Sequence, residues 1–141
     1  MFKLPAGRYL ITDPCYTVEH EDWENHLLPK IYECEAKEEE EMEVKGRKYI
    51  IFSTYWGDGE YPVVEKEQKH VIGSFSVDAG LMCITEATDD LVDYLYKKYS
   101  GETYVIITML EDFKVYEEAG RMYIGDEYVV DTQGDYMVDW S

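Results

Sequence analysis

Three aspartates open turn-like segments: Asp13 in Ile11-Thr12-Asp13-Pro14-Cys15-Tyr16, Asp58 in Trp56-Gly57-Asp58-Gly59-Glu60-Tyr61, and Asp78 in Phe75-Ser76-Val77-Asp78-Ala79-Gly80. Each stands after a run of strand character, so the carboxylates are expected at strand ends whose turns could gather on one rim. Converging carboxylates would supply the several oxygen ligands that Mg²⁺ or Ca²⁺ requires, with Asp126 or Asp131 contributing, and a metal-dependent phosphoesterase could be built there. The alternative is structural: each Asp accepts hydrogen bonds from nearby main-chain amides and fixes its turn. The long spacings and the lack of an EF-hand pattern favour the structural reading. No cofactor is expected, and a divalent cation remains an open alternative.

Cys15 with His20 or His70 has the residue types of a nucleophile and its base, because a thiol needs a nearby imidazole to become thiolate. Cys15 follows a proline at a strand end and no nucleophile-elbow motif surrounds it, which favours packing. Cys15, Cys34 and Cys83 are odd in number and widely spaced, so neither a disulfide framework nor a zinc site is indicated. There is no Walker loop, Rossmann fingerprint, HExxH or GxSxG, which lowers the prior for an enzyme.

Arg8, Lys45, Arg47, Lys48 and Arg121 are the bases that could form a nucleotide-sequestering pocket, with tyrosines and Trp23, Trp56 or Trp140 stacking the base. The bland reading of each is a solvated surface charge. The chain is acidic overall, with 31 Asp and Glu against 13 Lys and Arg and a net charge of −18. Direct binding to nucleic acid or an anionic membrane is therefore disfavoured, and basic or neutral partners are expected. Half of that charge lies between residues 19 and 43, where eleven acids face two lysines. Glu38, Glu39, Glu40, Glu41 and Glu43 are the candidate contacts for a basic partner, with Trp23 and Tyr55 as apolar anchors. Such a surface could mimic DNA phosphates; the bland alternative is a solvated, self-repelling loop.

The elements that must position these groups follow from pattern. Gly7 to Thr12 reads as a strand stopped by Pro14. Val18, Trp23, Leu27 and Leu28 at roughly helical spacing predict a short helix over 20–28 ended by Pro29. Residues 33–45 form an acidic insert, a loop or the solvated part of a hairpin. Arg47 to Trp56 is the strongest strand, and Asp58-Gly59 after it is a hairpin signal. Further strands are expected at 61–65, 70–77, 81–84, 103–110, 113–116, 121–124, 128–131 and 136–138. A second helix begins at Thr88, with Leu91, Val92, Leu95, Tyr96 and Tyr99 as its apolar face and Gly101 beyond its end. The expected fold is a single α+β domain over 1–141: a mainly antiparallel, curved sheet, as a sandwich or open barrel, with two short helices. No signal peptide or membrane helix is expected, so the default location is cytoplasmic.

The stretch 7–16, the Gly57-Asp58-Gly59-Glu60-Tyr61 segment, the Val77-Asp78-Ala79-Gly80 segment, and Tyr123-Ile124-Gly125-Asp126 followed by Val130-Asp131-Thr132 resemble small proteins common in bacteriophage genomes that have no assigned function. Gly59 to Val63 and Val77 to Gly80 are also similar to a bacterial family of unknown function. The resemblance spans most of the chain except the acidic insert. It implies a shared β fold and a phage or mobile-element origin, and it carries over no catalytic residue. The functional expectation is a non-enzymatic accessory protein that binds a host protein and blunts a defence system. The alternatives are a small-ligand protein, nucleotide-sequestering or phosphoesterase, and a virion or assembly component.

Overall fold

The computed structural model describes residues 2–29, 39–44, 46–54, 58–67, 69–78, 80–99, 103–118 and 121–132. Two antiparallel sheets carry the chain, with few helices. The first consists of β1 (Phe2–Leu4), β9 (Phe113–Glu118), β10 (Arg121–Ile124), β11 (Tyr128–Asp131), β5 (Gly59–Glu65) and β6 (His70–Val77), in that spatial order. The second runs β3 (Glu39–Val44), β4 (Arg47–Ser53), β7 (Leu81–Glu86), β2 (Gly7–Thr12) and β8 (Tyr104–Met109). The predicted strand at 136–138 lies outside the described residues, as do Cys34, Lys45, Trp56 and Trp140.

Both sheets feed one buried cluster, in which Ile11, Ile50, Phe52 and Ile84 of the second sheet meet Val63, Phe75, Val115 and Met122 of the first. The second sheet is buried on its other face too. There, Leu10 packs with Tyr16, Leu91 and Leu95, and Tyr49, Ile51 and Cys83 pack under Val18 and Trp23. Burial on two faces is the physical reason that Tyr49-Ile50-Ile51-Phe52 and Met82-Cys83-Ile84 are unbroken apolar runs rather than alternating ones. In β9 of the first sheet, by contrast, buried Phe113 and Val115 flank exposed Lys114.

The second predicted helix is present as α2 (Asp89–Tyr99). Its buried residues are Leu91 and Leu95, and Tyr94 packs beside them, whereas Tyr96, expected on the apolar face, is 65% exposed. The Thr88 carbonyl accepts from the Val92 N–H at 3.0 Å and starts the helix, but the Thr88 hydroxyl accepts from Arg47 instead of capping an amide. The first predicted helix is present over residues 20–29, with one difference in its geometry: α1 (His20–Asp22) widens into a π-helical turn at Trp23–Leu27, where the Leu28 N–H reaches the Trp23 carbonyl, before residues 28 and 29 return to α-helix.

The hairpin expected at Asp58-Gly59 does not form, because β4 and β5 belong to different sheets. Ser53 already pairs with Leu81, and the Thr54 N–H bonds to the Gly80 carbonyl at 3.2 Å, so β4 finds its partner in β7. The segment at 58 instead carries the chain from one sheet to the other. The turn that does close a hairpin here is at Gly46, whose φ of 79° is the left-handed geometry that glycine adopts freely, and it joins β3 to β4.

Candidate functional site

The three aspartates do come to one rim, and two of them are joined there by a hydrogen bond. Pro14 ends β2 and opens a 3₁₀ turn (Pro14–Thr17), and Asp13 stands at its N-cap, fully buried. One Asp13 carboxylate oxygen accepts from the Cys15 N–H at 2.9 Å; the other accepts from the Asp78 N–H, also at 2.9 Å. The Asp78 carboxylate in turn accepts from the Tyr16 hydroxyl. Asp13 and Asp78 thus join the end of β2 in one sheet to the end of β6 in the other. Asp58 is exposed and precedes Gly59, which pairs with Val77, so it sits beside Asp78 on the same rim.

The wider carboxylate set does not assemble. Asp126 follows Gly125 in the β10–β11 turn, next to Glu127, whose carbonyl accepts from the Lys66 N–H. That is the opposite end of β5 from Asp58. Asp131 is buried against Arg121, with Nε to Oδ1 at 3.5 Å. No group of three or more His, Cys, Asp or Glu side chains is placed to hold a metal ion among the described residues. The two Asp13 oxygens engaged by main-chain amides match the capping chemistry.

Cys15 lies within this rim. Burial, reinforced by the Asp13 charge and hydrogen bond, pushes its thiol far up from the usual range, and burial does the same to Cys83. His70 is exposed at the far end of β6, eight residues before Asp78 and so about 26 Å away along an extended strand. Cys15 and His70 are not brought together. His20 begins α1, and its side chain lies outside the described residues.

The four candidate bases that lie within the described residues do not form one pocket. Arg8 donates from Nη2 to Asp89 Oδ1 at 3.0 Å and to the Ala87 carbonyl at 3.2 Å, tying β2 to the start of α2. Arg121 is held at Asp131 in the other sheet. Arg47 donates from Nη1 to the Glu86 carbonyl at 2.7 Å and from Nη2 to Thr88 Oγ1 at 2.7 Å. These arginines join distant strands and turns, a role the local sequence does not signal because the Arg47 and Arg8 partners lie 39 to 81 residues away. Arg47 and its neighbour Lys48 do line one cavity of about 430 Å³ at the end of the core, with Leu4, Tyr9, Ile84 and Glu86 among its walls. Its apolar wall residues were not singled out from sequence, since each also reads as ordinary core.

The acidic candidates occupy the edge of the second sheet. Glu39, Glu40, Glu41 and Glu43 belong to β3, which pairs with β4 so that Glu41 stands opposite Ile50 and Glu43 opposite Lys48. Glu43 is exposed. Glu38 and Tyr55 lie outside the described residues. Trp23, named as an apolar anchor, is half-buried against the Tyr49, Ile51 and Cys83 cluster, so packing already occupies part of its surface. Among the described residues no helix is long and apolar enough to cross a membrane. Comparison with protein-family models, curated proteins and solved structures finds no match to this chain.

Proposed function

We propose that this protein is a non-enzymatic binding module of phage-accessory type, docking the basic surface of a host protein through its acidic segment and blunting a defence system by imitating DNA phosphates. The observation that carries the reading is the position of Glu39–Val44: a regular strand at the edge of its sheet, paired on one side by β4 and, among the described residues, on the other side by none. An edge strand is a template for another chain, and a row of glutamates on it repels a second copy of itself. The same row attracts lysine and arginine. Glu39, Glu40 and Glu41 follow one another in that strand, so acidic residues stand about 3.3 Å apart along the backbone and alternate between its two faces.

The test is capture from a lysate of the bacterial host at low and high salt, followed by competition of the captured protein with duplex DNA. Capture should weaken as salt rises and duplex should displace the protein. A variant with Glu38, Glu39, Glu40, Glu41 and Glu43 all changed to Gln should lose the partner while keeping its Tm. Equal capture by that variant, with the same salt dependence, would refute the proposal.

A further inference from the structure

The outward face of the second sheet has its covers in view: α2 lies over Leu10, and Trp23 lies over Tyr49 and Ile51. The first sheet carries a buried apolar strip on its own outward face, with no such cover among the described residues. We propose that the segment following β11, Tyr136-Met137-Val138-Asp139-Trp140, folds back across that strip as a strap, with Tyr136, Val138 and Trp140 seated on Val129 and Val64. The strap belongs to the sheet that does not contain β3, so it is independent of docking at the acidic edge.

Register gives the direction of the side chains. Val130 of β11 and Val63 of β5 are paired and both belong to the main cluster. Val129 and Val64 form the next pair, and successive residues of a strand point to opposite faces, so these two valines face away from that cluster. Tyr123 extends the same row: it pairs with Val129, and its ring stacks on Tyr116 with centroids 4.9 Å apart.

Burial sets the requirement for a cover. Val64 and Val129 are fully buried, and so is Asp131, two residues along on the same face as Val129. Among the described residues, the buried clusters contain neither valine. A valine on the outward face of a sheet stays in contact with water unless something lies above it, because its strand neighbours reach it only from the sides. Lys66, whose Nζ stands 5.3 Å from the Tyr123 ring centroid, crosses one corner of the strip. One lysine stem does not close off valines on two strands and a carboxylate as well. The covered area is also narrow. Lys114 in β9 is exposed and Val71 in β6 is part-exposed, so the cover spans β11 and β5, about 10 Å, which fits a single segment of chain rather than a partner domain.

Reach and pattern select the segment. β11 ends at Asp131, on the strip itself, and Gln133-Gly134-Asp135 supplies three residues with a central glycine for the reversal. Beyond them Tyr136, Val138 and Trp140 alternate with Met137, Asp139 and Ser141, a period of two that gives an extended segment one aromatic and β-branched face. Four steps of about 3.3 Å carry that face about 13 Å, enough to return along β11 past Val129. Asp135 and Asp139 then point to water. Residues 30–38, the other long stretch outside the described residues, leave the turn that packs on the second sheet and rejoin the same sheet at β3.

The experiment is NMR of the full chain with labelled valine methyls. The Val64 and Val129 methyls should show NOEs to the Tyr136 ring, the Val138 methyls or the Trp140 ring, and the amides of 136–140 should exchange at least about tenfold more slowly than in a free peptide of the same sequence. A mixture of labelled and unlabelled chains separates the chain's own segment from a neighbour's: contacts seen only between chains would make a second copy the occupant and overturn the strap. Changing Tyr136, Val138 and Trp140 together to Ser should uncover the strip, lowering Tm by about 4 °C or more and raising the fluorescence of an added hydrophobic dye. Met137→Ser, on the other face, should do neither. The proposal fails if the two valines contact none of Tyr136, Val138 and Trp140, a result read on the parent protein whether or not the triple variant folds, or if that variant keeps the parent Tm and dye binding.

Discussion

The carboxylate of Asp13 accepts the main-chain N–H of Asp78 at 2.9 Å, across 65 residues of sequence and from one sheet to the other. The same side chain caps the turn that follows β2. One buried residue therefore fixes a local turn and the juncture between sheets.

Replacing Asp13 with alanine should remove both bonds and leave two amides without their acceptor. The expected loss is about 2–3 kcal/mol, because hydrogen bonds to a charged, buried group are the strong ones. Asn, with one carbonyl oxygen in place of two carboxylate oxygens, should lose less. Urea unfolding measures both; an Asp13→Ala midpoint indistinguishable from the parent's would show that the contact contributes nothing.

The cysteines should be unreactive in the folded state. Burial and the nearby Asp13 charge hold the Cys15 thiol protonated, and Cys83 is buried in the core. Iodoacetamide at pH 8, followed by peptide mapping, should modify both at least about a hundredfold faster in urea than in buffer. Labelling of native Cys15 at the rate of a free thiol would contradict this and reopen a nucleophilic role.

Alkali should unfold the protein through its tyrosines. Burial pushes Tyr49 up to about 12, partly offset by its hydrogen bond with Thr17, and burial also raises Tyr9, Tyr16, Tyr61, Tyr94 and Tyr128. The folded state then holds protons that the unfolded chain releases near pH 10, so stability is intact below that pH and falls as pH rises towards 12. Tyr49 alone should contribute a slope of about 1.4 kcal/mol per pH unit in that window. Absorbance at 295 nm should show tyrosinate appearing together with loss of the far-ultraviolet signal. Complete titration near pH 10 with the fold intact would be the opposite result.

Gly73 in β6 marks where the edges of the two sheets come together. A Cβ there would lie 3.1 Å from Val105 Cγ2 in β8. Gly73→Ala should cost about 1 kcal/mol by crowding. Val105→Ala in the same chain should relieve that crowding, so a double-mutant cycle should return a favourable coupling. Strictly additive effects would mean that the two strands do not touch.

Much of the local structure was legible. Pro14 and the β-branched run before it fix the end of β2, the Tyr49 to Phe52 run reads as strand, and Leu91 with Leu95 mark α2 correctly. The differences at Tyr96, in the π-helical geometry of Trp23–Leu27 and at Asp58-Gly59 share a cause. Each depends on what packs from a distance: whether a neighbour covers Tyr96, whether Trp23 must reach the Tyr49 cluster, and which strand β4 can pair with.

Residue types alone determined the acidity of the chain, its concentration before residue 44, and the places where strands end, because backbone dihedral preferences and charge act over a few residues. Only the tertiary structure decided that Asp13 and Asp78 meet while Asp126 lies at the far end of β5, and that Arg8 and Arg47 both anchor the segment 86–89 while Arg121 is held at Asp131 in the other sheet. Those outcomes follow from strand order and register. A shift of one residue turns every side chain to the other face, and the register chosen is the one that buries both faces of the second sheet at once.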